Sequence, residues 1–415
     1  MQPQPTRILI VDDEPDRAKS WERGIKNILG DLAQVDAPNL EEAKKLVSSI
    51  FSRRKKMRVS DGAVSISNSG IECLLDGADI VILDYDLQNL EKNDESEWAT
   101  GAEVAIAARG YSTAGMLVLA NSMGVNRFDL TMTKGISSRA DLDVGSEQIL
   151  NPGLWSPDKA EGFRPWHWPI MLEWPNQYAA SVKWLSERLD APVFKELGLE
   201  ASGDGDAYVS SDQWVDYLGI DPMTTTFRNL VSTHQYLPIR DREVIAKDDG
   251  QCARVAAAII KGWLDRVLAP SQETLIDAPH LAYQMPWLLR DAKDVTCWTE
   301  AAGLMGCGNA FRTNLSKFMY QPDFLPSRPV FFRKRLLNNA EMAEPHGFNY
   351  ADTPDLVFCE DASAFVEFDA SRPFPTSLPG SDRQRFVADP EKLPSPAGPQ
   401  RLNNVDYEPS SLFAL

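Results

Sequence analysis

Ala-Asp-Ile-Val-Ile-Leu-Asp at residues 78–84 is the stretch that decides the fold of the first half of this chain. A mostly apolar run that ends in an acid is typical of a central parallel strand, which is buried on both faces. Residues 7–11 form another short apolar run, and Asp12 and Asp13 follow it directly. These two runs predict strands whose acidic ends lie at one edge of a sheet.

Helical segments alternate with these strands. Pro15 suits the first position of a helix, and the acids before it suit the positive end of the helix dipole, so a helix is predicted over 15–29. Further strands are predicted at 32–35, 116–120 and 128–133, and further helices from Asn39 onward and over 101–109. Five strands separated by helices predict an α/β domain built on a doubly wound five-stranded parallel sheet.

Four charged residues follow predicted strands of this sheet: Asp12, Asp13, Asp84 and Lys134. In doubly wound sheets the functional crevice lies outside the carboxyl ends of the strands. Three converging carboxylates form an oxygen-rich, negative pocket that suits Mg²⁺. A metal there would keep Asp84 ionised as a nucleophile for a phosphoryl group, and Lys134 would contact the phosphoryl oxygens.

The motifs that carry this pattern closely resemble the receiver domain of two-component response regulators. They are Ile8-Leu9-Ile10-Val11-Asp12-Asp13-Glu14-Pro15, Asp79-Ile80-Val81-Ile82-Leu83-Asp84-Tyr85-Asp86-Leu87, Gly101-Ala102-Glu103-Val104 and Thr133-Lys134. The resemblance covers about the first 140 residues. It implies that Asp84 accepts a phosphoryl group from a histidine kinase or phosphotransfer protein. It also implies that Mg²⁺ is held by Asp12 or Asp13, by Asp84 and by the backbone carbonyl of Asp86.

The sequence departs from the receiver pattern in two ways. The acid pair and Asp84 are further apart than in most receivers, which predicts insertions near 51–69 and 89–98. At the end of the fourth strand, Ala120 stands where the family has a threonine or serine. Ser122 is the nearest hydroxyl that could contact a phosphate in its place.

The first predicted insertion contains a basic run, made up of Arg53, Arg54, Lys55, Lys56 and Arg58. We interpret it as a solvated helix end or loop. The alternative is that these cations dock an acidic kinase or a neighbouring domain.

The second half has no comparable pattern. We expect a linker or docking segment over 146–175, an output or interaction domain of mainly α or α+β structure over 176–370, and a proline-rich arm over 371–415. It has none of the common hydrolase, phosphate-loop, metalloprotease or dinucleotide motifs. Its histidines are isolated and interpreted as structural, and a zinc site from His280, Cys297, Cys307 and Cys359 fits no finger spacing.

Composition narrows the classes of function. Lys plus Arg number 42 and Asp plus Glu number 60, for a net charge of −18. A surface this acidic repels a phosphate backbone, so nucleic acid is not an expected partner. No segment is apolar and long enough to span a bilayer, so a cytoplasmic protein with no membrane contact is expected.

These observations favour a response regulator that is phosphorylated on Asp84 with Mg²⁺ and is a regulator rather than a turnover enzyme. It would signal through a C-terminal domain that does not bind DNA, to a downstream protein or a second copy in a homodimer, or else act as a phosphate sink. One alternative is a pseudo-receiver scaffold that acts only through protein interfaces. Another is a receiver-gated enzyme with an unrecognised C-terminal active site.

Overall fold

A computed structural model describes most of the chain. The described residues are 5–60, 65–66, 69–90, 100–121, 140–155, 171–199, 224–234, 237–303, 307–320, 329–360, 362–373 and 386–389. They fall into two compact units, the first formed by described residues up to Gly262 and the second by those from Trp263 onward.

The first unit is built on a five-stranded sheet in which every neighbouring pair is parallel, with the order β2-β1-β3-β4-β5. Its strands are β1 (Thr6–Val11), β2 (Ala33–Asp36), β3 (Ile80–Asp84), β4 (Met116–Asn121) and β5 (Leu142–Gly145). The helices between them are α1 (Pro15–Leu29), α2 (Leu40–Val59) and α3 (Gly101–Tyr111). This architecture confirms the predicted doubly wound α/β class.

Local sequence explains where these helices begin. Pro15 occupies the first turn of α1. Asn39 caps α2, and Thr100 caps α3, each through a reciprocal capping box with the glutamate three residues later. Such caps satisfy backbone N–H groups that have no partner inside the helix. The chain therefore enters α1 and α2 through short loops after β1 and β2.

The edge strand next to β4 differs from the prediction. The predicted strand at 128–133 lies outside the described residues, and the strand paired with β4 is β5 at Leu142–Gly145. Lys134 also lies outside the described residues, so its position at the carboxyl edge of the sheet stays a prediction. Which segment pairs with β4 depends on register, a tertiary property that a sequence pattern does not contain.

Helices that follow the sheet in sequence belong to the same first unit. They are α4 (Pro152–Trp155), α5 (Trp174–Ser186), α6 (Val193–Glu196), α7 (Phe227–Thr233), α8 (Ile239–Lys247) and α9 (Asp249–Trp263). The side chain of Tyr178 in α5 accepts a hydrogen bond from buried Arg109 of α3, and Gln251 of α9 donates to the carbonyl of Arg109. The compact unit thus extends past residue 145, and the functional division of the chain near that residue stays a prediction.

The interpretation of the basic run as a solvated surface is wrong for three of its arginines. Helix α2 continues through the run to Val59, and Arg53 is buried against Asp76 and the carbonyls of Ile71 and Tyr111. Arg54 and Arg58 both donate to Asp241 of α8. The basic run therefore does bind an acidic group, as the alternative proposed. That group is Asp241, a carboxylate of the same unit, and not an external partner.

The second unit contains short helices and two small sheets. Its helices are α10 (Ala269–Ser271), α11 (Ala278–Gln284), α12 (Val295–Ala302) and α13 (Arg333–Leu337), and a π-helical turn covers Leu264–Leu268. Its strands are β6 (Leu275–Asp277), β7 (Val330–Phe332), β8 (Leu356–Cys359), β9 (Ala364–Glu367), β10 (Ser371–Pro373) and β11 (Phe386–Ala388). The sheet of β10-β11-β8-β9 has both parallel and antiparallel pairs. This helical and mixed-sheet content agrees with the predicted α+β character.

Candidate functional site: an acidic pocket at the strand ends

Two adjacent strands of the sheet bring three carboxylates together. Val11, the last residue of β1, pairs with Leu83, so the residues that come next, Asp12 and Asp84, lie side by side. Asp13 follows on the loop into α1. All three aspartates are buried, and one oxygen from each lies within 4.8 Å of the others. Of all the residues that the structure describes, these form the one group of carboxylate, imidazole or thiolate ligands close enough to hold a metal ion.

Backbone N–H groups orient these carboxylates. The amide of Glu14 donates to Asp12 at 2.8 Å, and the amide of Asn89 donates to Asp13 at 3.1 Å. The amide of Asp86 donates to Oδ2 of Asp84 at 3.2 Å. The other oxygen of Asp84, Oδ1, is buried and accepts no hydrogen bond from the described residues. A buried carboxylate oxygen without a partner is costly, and such an atom indicates that a ligand belongs there.

Arg17 is the site residue that sequence reasoning missed. Its Nε and Nη2 donate to the two oxygens of Asp12 at 2.7 and 2.8 Å, and the same Nη2 donates to Oδ2 of Asp84 at 2.7 Å. Arg17 lies four residues after Asp13 in the first turn of α1, and its Nη2 is 3.7 Å from Oδ1 of that residue. The spacing of four residues from Asp13 is the sequence signal that could have found it, although Asp13 itself precedes α1.

The electrostatics of the pocket centre on Asp84. Burial raises the pKa of its carboxyl, the charge on Asp12 raises it further, and Arg17 opposes both, which leaves the pKa at about 7. Hydrogen bonding to Asp12 raises the pKa of Arg17, so its guanidinium stays charged. At neutral pH, Asp84 therefore exchanges readily between its protonated and ionised forms.

Helix α3 packs closely on the backbone of Asp84. The amide of Gly101 donates to the carbonyl of Tyr85 at 2.8 Å. A Cβ built on Gly101 would lie 2.0 Å from the carbonyl oxygen of Asp84 and 2.9 Å from Leu119. Only glycine allows this close approach, so the helix start is held directly against the strand that carries the central carboxylate.

The other predicted site residues have different outcomes. Ala120 lies opposite Asp84 in the sheet and is fully buried, so a methyl group occupies this position in place of a hydroxyl. Asp86 is at the pocket loop, where it forms an isolated bridge with Thr100. Ser122 and Lys134 lie outside the described residues. The structure thus brings Asp12, Asp13 and Asp84 together and leaves the roles of the other two as predictions.

The second unit has a buried ionic cluster of its own. The His280 imidazole contacts Asp277 through Nδ1 at 2.8 Å and Glu360 through Nε2 at 3.2 Å. Both ring nitrogens therefore face carboxylates, which does not fit the zinc arrangement considered from sequence. A separate cavity of about 770 Å³ is lined by aromatic and polar side chains including Tyr283, Trp298, Arg333, Tyr350 and Asp355.

Comparison with known proteins adds no family to this picture. No protein-family model and no curated protein matches the sequence. None of the helices in the described part of the chain is both long and apolar enough to cross a bilayer. The likeness to receiver domains consequently consists of the parallel sheet and the acidic cluster at its carboxyl edge.

Proposed function

We propose that this chain is a response regulator of two-component signalling that accepts a phosphoryl group on Asp84. The observation that carries the proposal is the buried cluster of Asp12, Asp13 and Asp84 at the ends of adjacent strands, where one oxygen of Asp84 accepts no hydrogen bond from the described residues. A buried carboxylate beside two further carboxylates suits a nucleophile that works with a bound cation.

Mg²⁺ is the cofactor that the donor set fits best. The available ligands are carboxylate oxygens, which are hard donors, and no thiolate or imidazole from the described residues joins them. Asp12 or Asp13 and Asp84 would hold the ion, together with the backbone carbonyl of Asp86. When bound, Mg²⁺ would neutralise the carboxylates and the oxygens of an incoming phosphoryl group.

The transfer itself requires little from the protein beyond position and charge. An ionised oxygen of Asp84 attacks phosphorus of a phosphohistidine on a histidine kinase or phosphotransfer protein. The new O–P bond forms as the P–N bond breaks, and the histidine leaves with its electron pair and takes up a proton. Because the pKa of Asp84 is about 7, a large fraction of the chains carries the reactive ionised form at neutral pH.

Helix α3 offers a route from the pocket to the rest of the first unit. It begins at Gly101 against Asp84, and its last residue, Tyr111, donates to Asp241 of α8 at 2.5 Å. A phosphate adds about two negative charges and strong acceptor oxygens, which can bias such an element between two positions. We propose that a downstream protein or a second copy of the chain binds differently to the two positions. If no partner responds to the change, the protein would act as a phosphate sink.

The experiment is phosphorylation of the full chain with acetyl phosphate, with and without Mg²⁺, followed by intact mass measurement. We expect a Mg²⁺-dependent gain of one phosphoryl group that is lost in Asp84→Ala. Asp36→Asn is a matched control, because Asp36 also ends a strand of this sheet but lies outside the cluster. A folded protein that stays unmodified by acetyl phosphate and by a histidine kinase that phosphorylates other receivers would contradict the proposal.

A pseudo-receiver scaffold is the second candidate, and one observation favours it. Ala120 leaves the position beside Asp84 without the hydroxyl that follows the phosphate in receivers. In that case the fold would act only through protein interfaces. The same mass measurement separates the two functions, since a scaffold gains no phosphoryl group. A receiver-gated enzyme in the second half stays a hypothesis.

A further inference from the structure

The inference concerns Arg17, and it rests on the proposed function of the acidic pocket. Its Nη2 atom lies 2.8 Å from Asp12 and 2.7 Å from Asp84, so one cationic nitrogen bridges the two strand ends. A divalent ion would take its oxygens from Asp84 and from Asp12 or Asp13, and Arg17 forms an ion pair with each of these three residues. We propose that Arg17 is the resident counter-cation of this pocket, and that a divalent cation binds only when the Arg17 side chain gives up these oxygens.

The contacts explain why the two cations exclude each other. A carboxylate oxygen that accepts a short hydrogen bond from a guanidinium directs its lone pairs at that group. A second positive ion placed on the same oxygens would meet the Arg17 charge at a few ångströms, in a buried pocket where such repulsion is weakly screened. Metal entry therefore requires the guanidinium to move first.

The position of Arg17 allows that movement. The three aspartates are buried, whereas 23% of the Arg17 side chain is exposed. The guanidinium carbon lies 5.7 Å from the ring centroid of Trp21, one turn further along α1, which gives the cation an aromatic face beside the pocket. Arginine also has a long side chain with several rotatable bonds, so it can leave Asp84 without a change in the backbone of α1.

Arg17 then has two consequences for the protein. Without metal, it neutralises part of the charge of three neighbouring carboxylates and stabilises the folded state. With metal, it lowers the apparent affinity, because part of the binding free energy is used to break the Arg17 contacts. The pocket would load only at divalent ion concentrations high enough to compete with its own arginine.

The test measures Mg²⁺ and Mn²⁺ binding to the full chain by isothermal titration calorimetry at pH 8.5, which favours ionised carboxylates. We expect Arg17→Met to bind Mn²⁺ at least about tenfold more tightly than the unmodified protein, as removal of charge-assisted hydrogen bonds to a competitor predicts. Arg23→Met is the control, because Arg23 is an exposed arginine on the same helix. Its affinity should stay within about twofold of the unmodified protein.

Thermal unfolding supplies a second readout. Without metal, Arg17→Met should unfold at a lower temperature than the unmodified protein. Added Mn²⁺ should raise the unfolding temperature of the variant by more than that of the unmodified protein. If Arg17→Met does not fold, Arg17→Gln is measured instead; its amide keeps a hydrogen-bond donor but has no positive charge to compete with the metal, and tighter Mn²⁺ binding is again expected.

Unchanged or weaker Mn²⁺ affinity in the folded Arg17 variant would overturn the inference. This outcome is distinct from failure of the proposed function. If Arg17→Met tightens metal binding but acetyl phosphate adds no phosphoryl group, the counter-cation inference is supported and the phospho-acceptor proposal is contradicted. If Asp84 is phosphorylated but metal binds equally well with and without Arg17, the phospho-acceptor proposal is supported and the counter-cation inference is contradicted.

Discussion

Arg58 and Asp241 are joined by a hydrogen bond of 2.6 Å between Nε and Oδ1, although 183 residues of sequence separate them. Arg54 donates to the same carboxylate at 2.8 Å. Burial alone would raise the pKa of Asp241, but hydrogen bonds from Arg58, Arg54 and Tyr111 more than offset it and hold the pKa below the usual range. The carboxylate therefore stays ionised and ties α8 to the basic end of α2.

Loss of that carboxylate should destabilise the first unit. We expect Asp241→Asn to lower the free energy of unfolding by about 2–4 kcal/mol, because two guanidinium groups lose the charge they are paired with in a largely buried place. Urea denaturation measures the difference. Asp190→Asn is the control, because Asp190 also binds an arginine, Arg228, but is exposed; its loss should cost less than about 1 kcal/mol. Equal effects of the two substitutions would contradict a special role for Asp241.

His280 should make the second unit sensitive to alkaline pH. Burial lowers the pKa of its imidazole, but the carboxylates of Asp277 and Glu360 outweigh burial and raise it to about 9. A histidine whose folded pKa exceeds its unfolded value of 6.5 contributes its full stability below about pH 6.5. That contribution, on the order of 2–3 kcal/mol, is lost as the pH rises through 9.

The measurement is the unfolding temperature of the protein and of His280→Gln between pH 6 and pH 10. We expect the unfolding temperature of the unmodified protein to fall over this range. His280→Gln should have a lower unfolding temperature at pH 6, and that temperature should change less with pH. His346→Gln, which alters an exposed histidine, should follow the unmodified profile. A His280 variant with the same pH profile as the unmodified protein would show that the ion cluster does not govern alkaline stability.

Gly101 should tolerate no side chain. A methyl group there would meet the Asp84 carbonyl at 2.0 Å, which is backbone and cannot rotate away. We expect Gly101→Ala to lower the free energy of unfolding by at least about 2 kcal/mol, as overpacking and displaced backbone do. Gly250→Ala adds the same methyl to helix α9, where the nearest atom is 3.5 Å away, and should be neutral or stabilising. Circular dichroism during urea denaturation compares the two, and a neutral Gly101→Ala would contradict the close packing at Asp84.

Ala120 offers a gain-of-function test of the phospho-acceptor. Residues paired across a sheet project to the same face, so a hydroxyl introduced at Ala120 would stand beside Asp84. We expect Ala120→Ser to be phosphorylated several-fold faster by acetyl phosphate, because the hydroxyl can donate to a phosphoryl oxygen. Ala108→Ser puts the same hydroxyl at another buried alanine, in α3, and should leave the rate unchanged. If both variants react at the unmodified rate, a hydroxyl beside Asp84 has no part in the reaction.

Much of the first unit could be predicted because its signals are local. The apolar runs before Asp12 and Asp84 made two buried strands recognisable, and these strands are β1 and β3 of the sheet. Pro15, Asn39 and the alternation of strands with helices placed α1 and α2 correctly. Each of these features depends on residues within one or two helical turns of each other, which is why one-dimensional patterns contain them.

Sequence alone determined that buried strands of this protein end in aspartates, and therefore that carboxylates gather at one edge of a parallel sheet. Tertiary structure decided that Arg17 bridges Asp12 and Asp84. It also decided that Asp241 pairs with Arg54 and Arg58 of α2, and that the carboxylates of Asp277 and Glu360 flank His280. The physical reason is that a charge selects its partner by distance in the folded chain, and residues far apart in sequence acquire that distance only when strand register and helix packing are set.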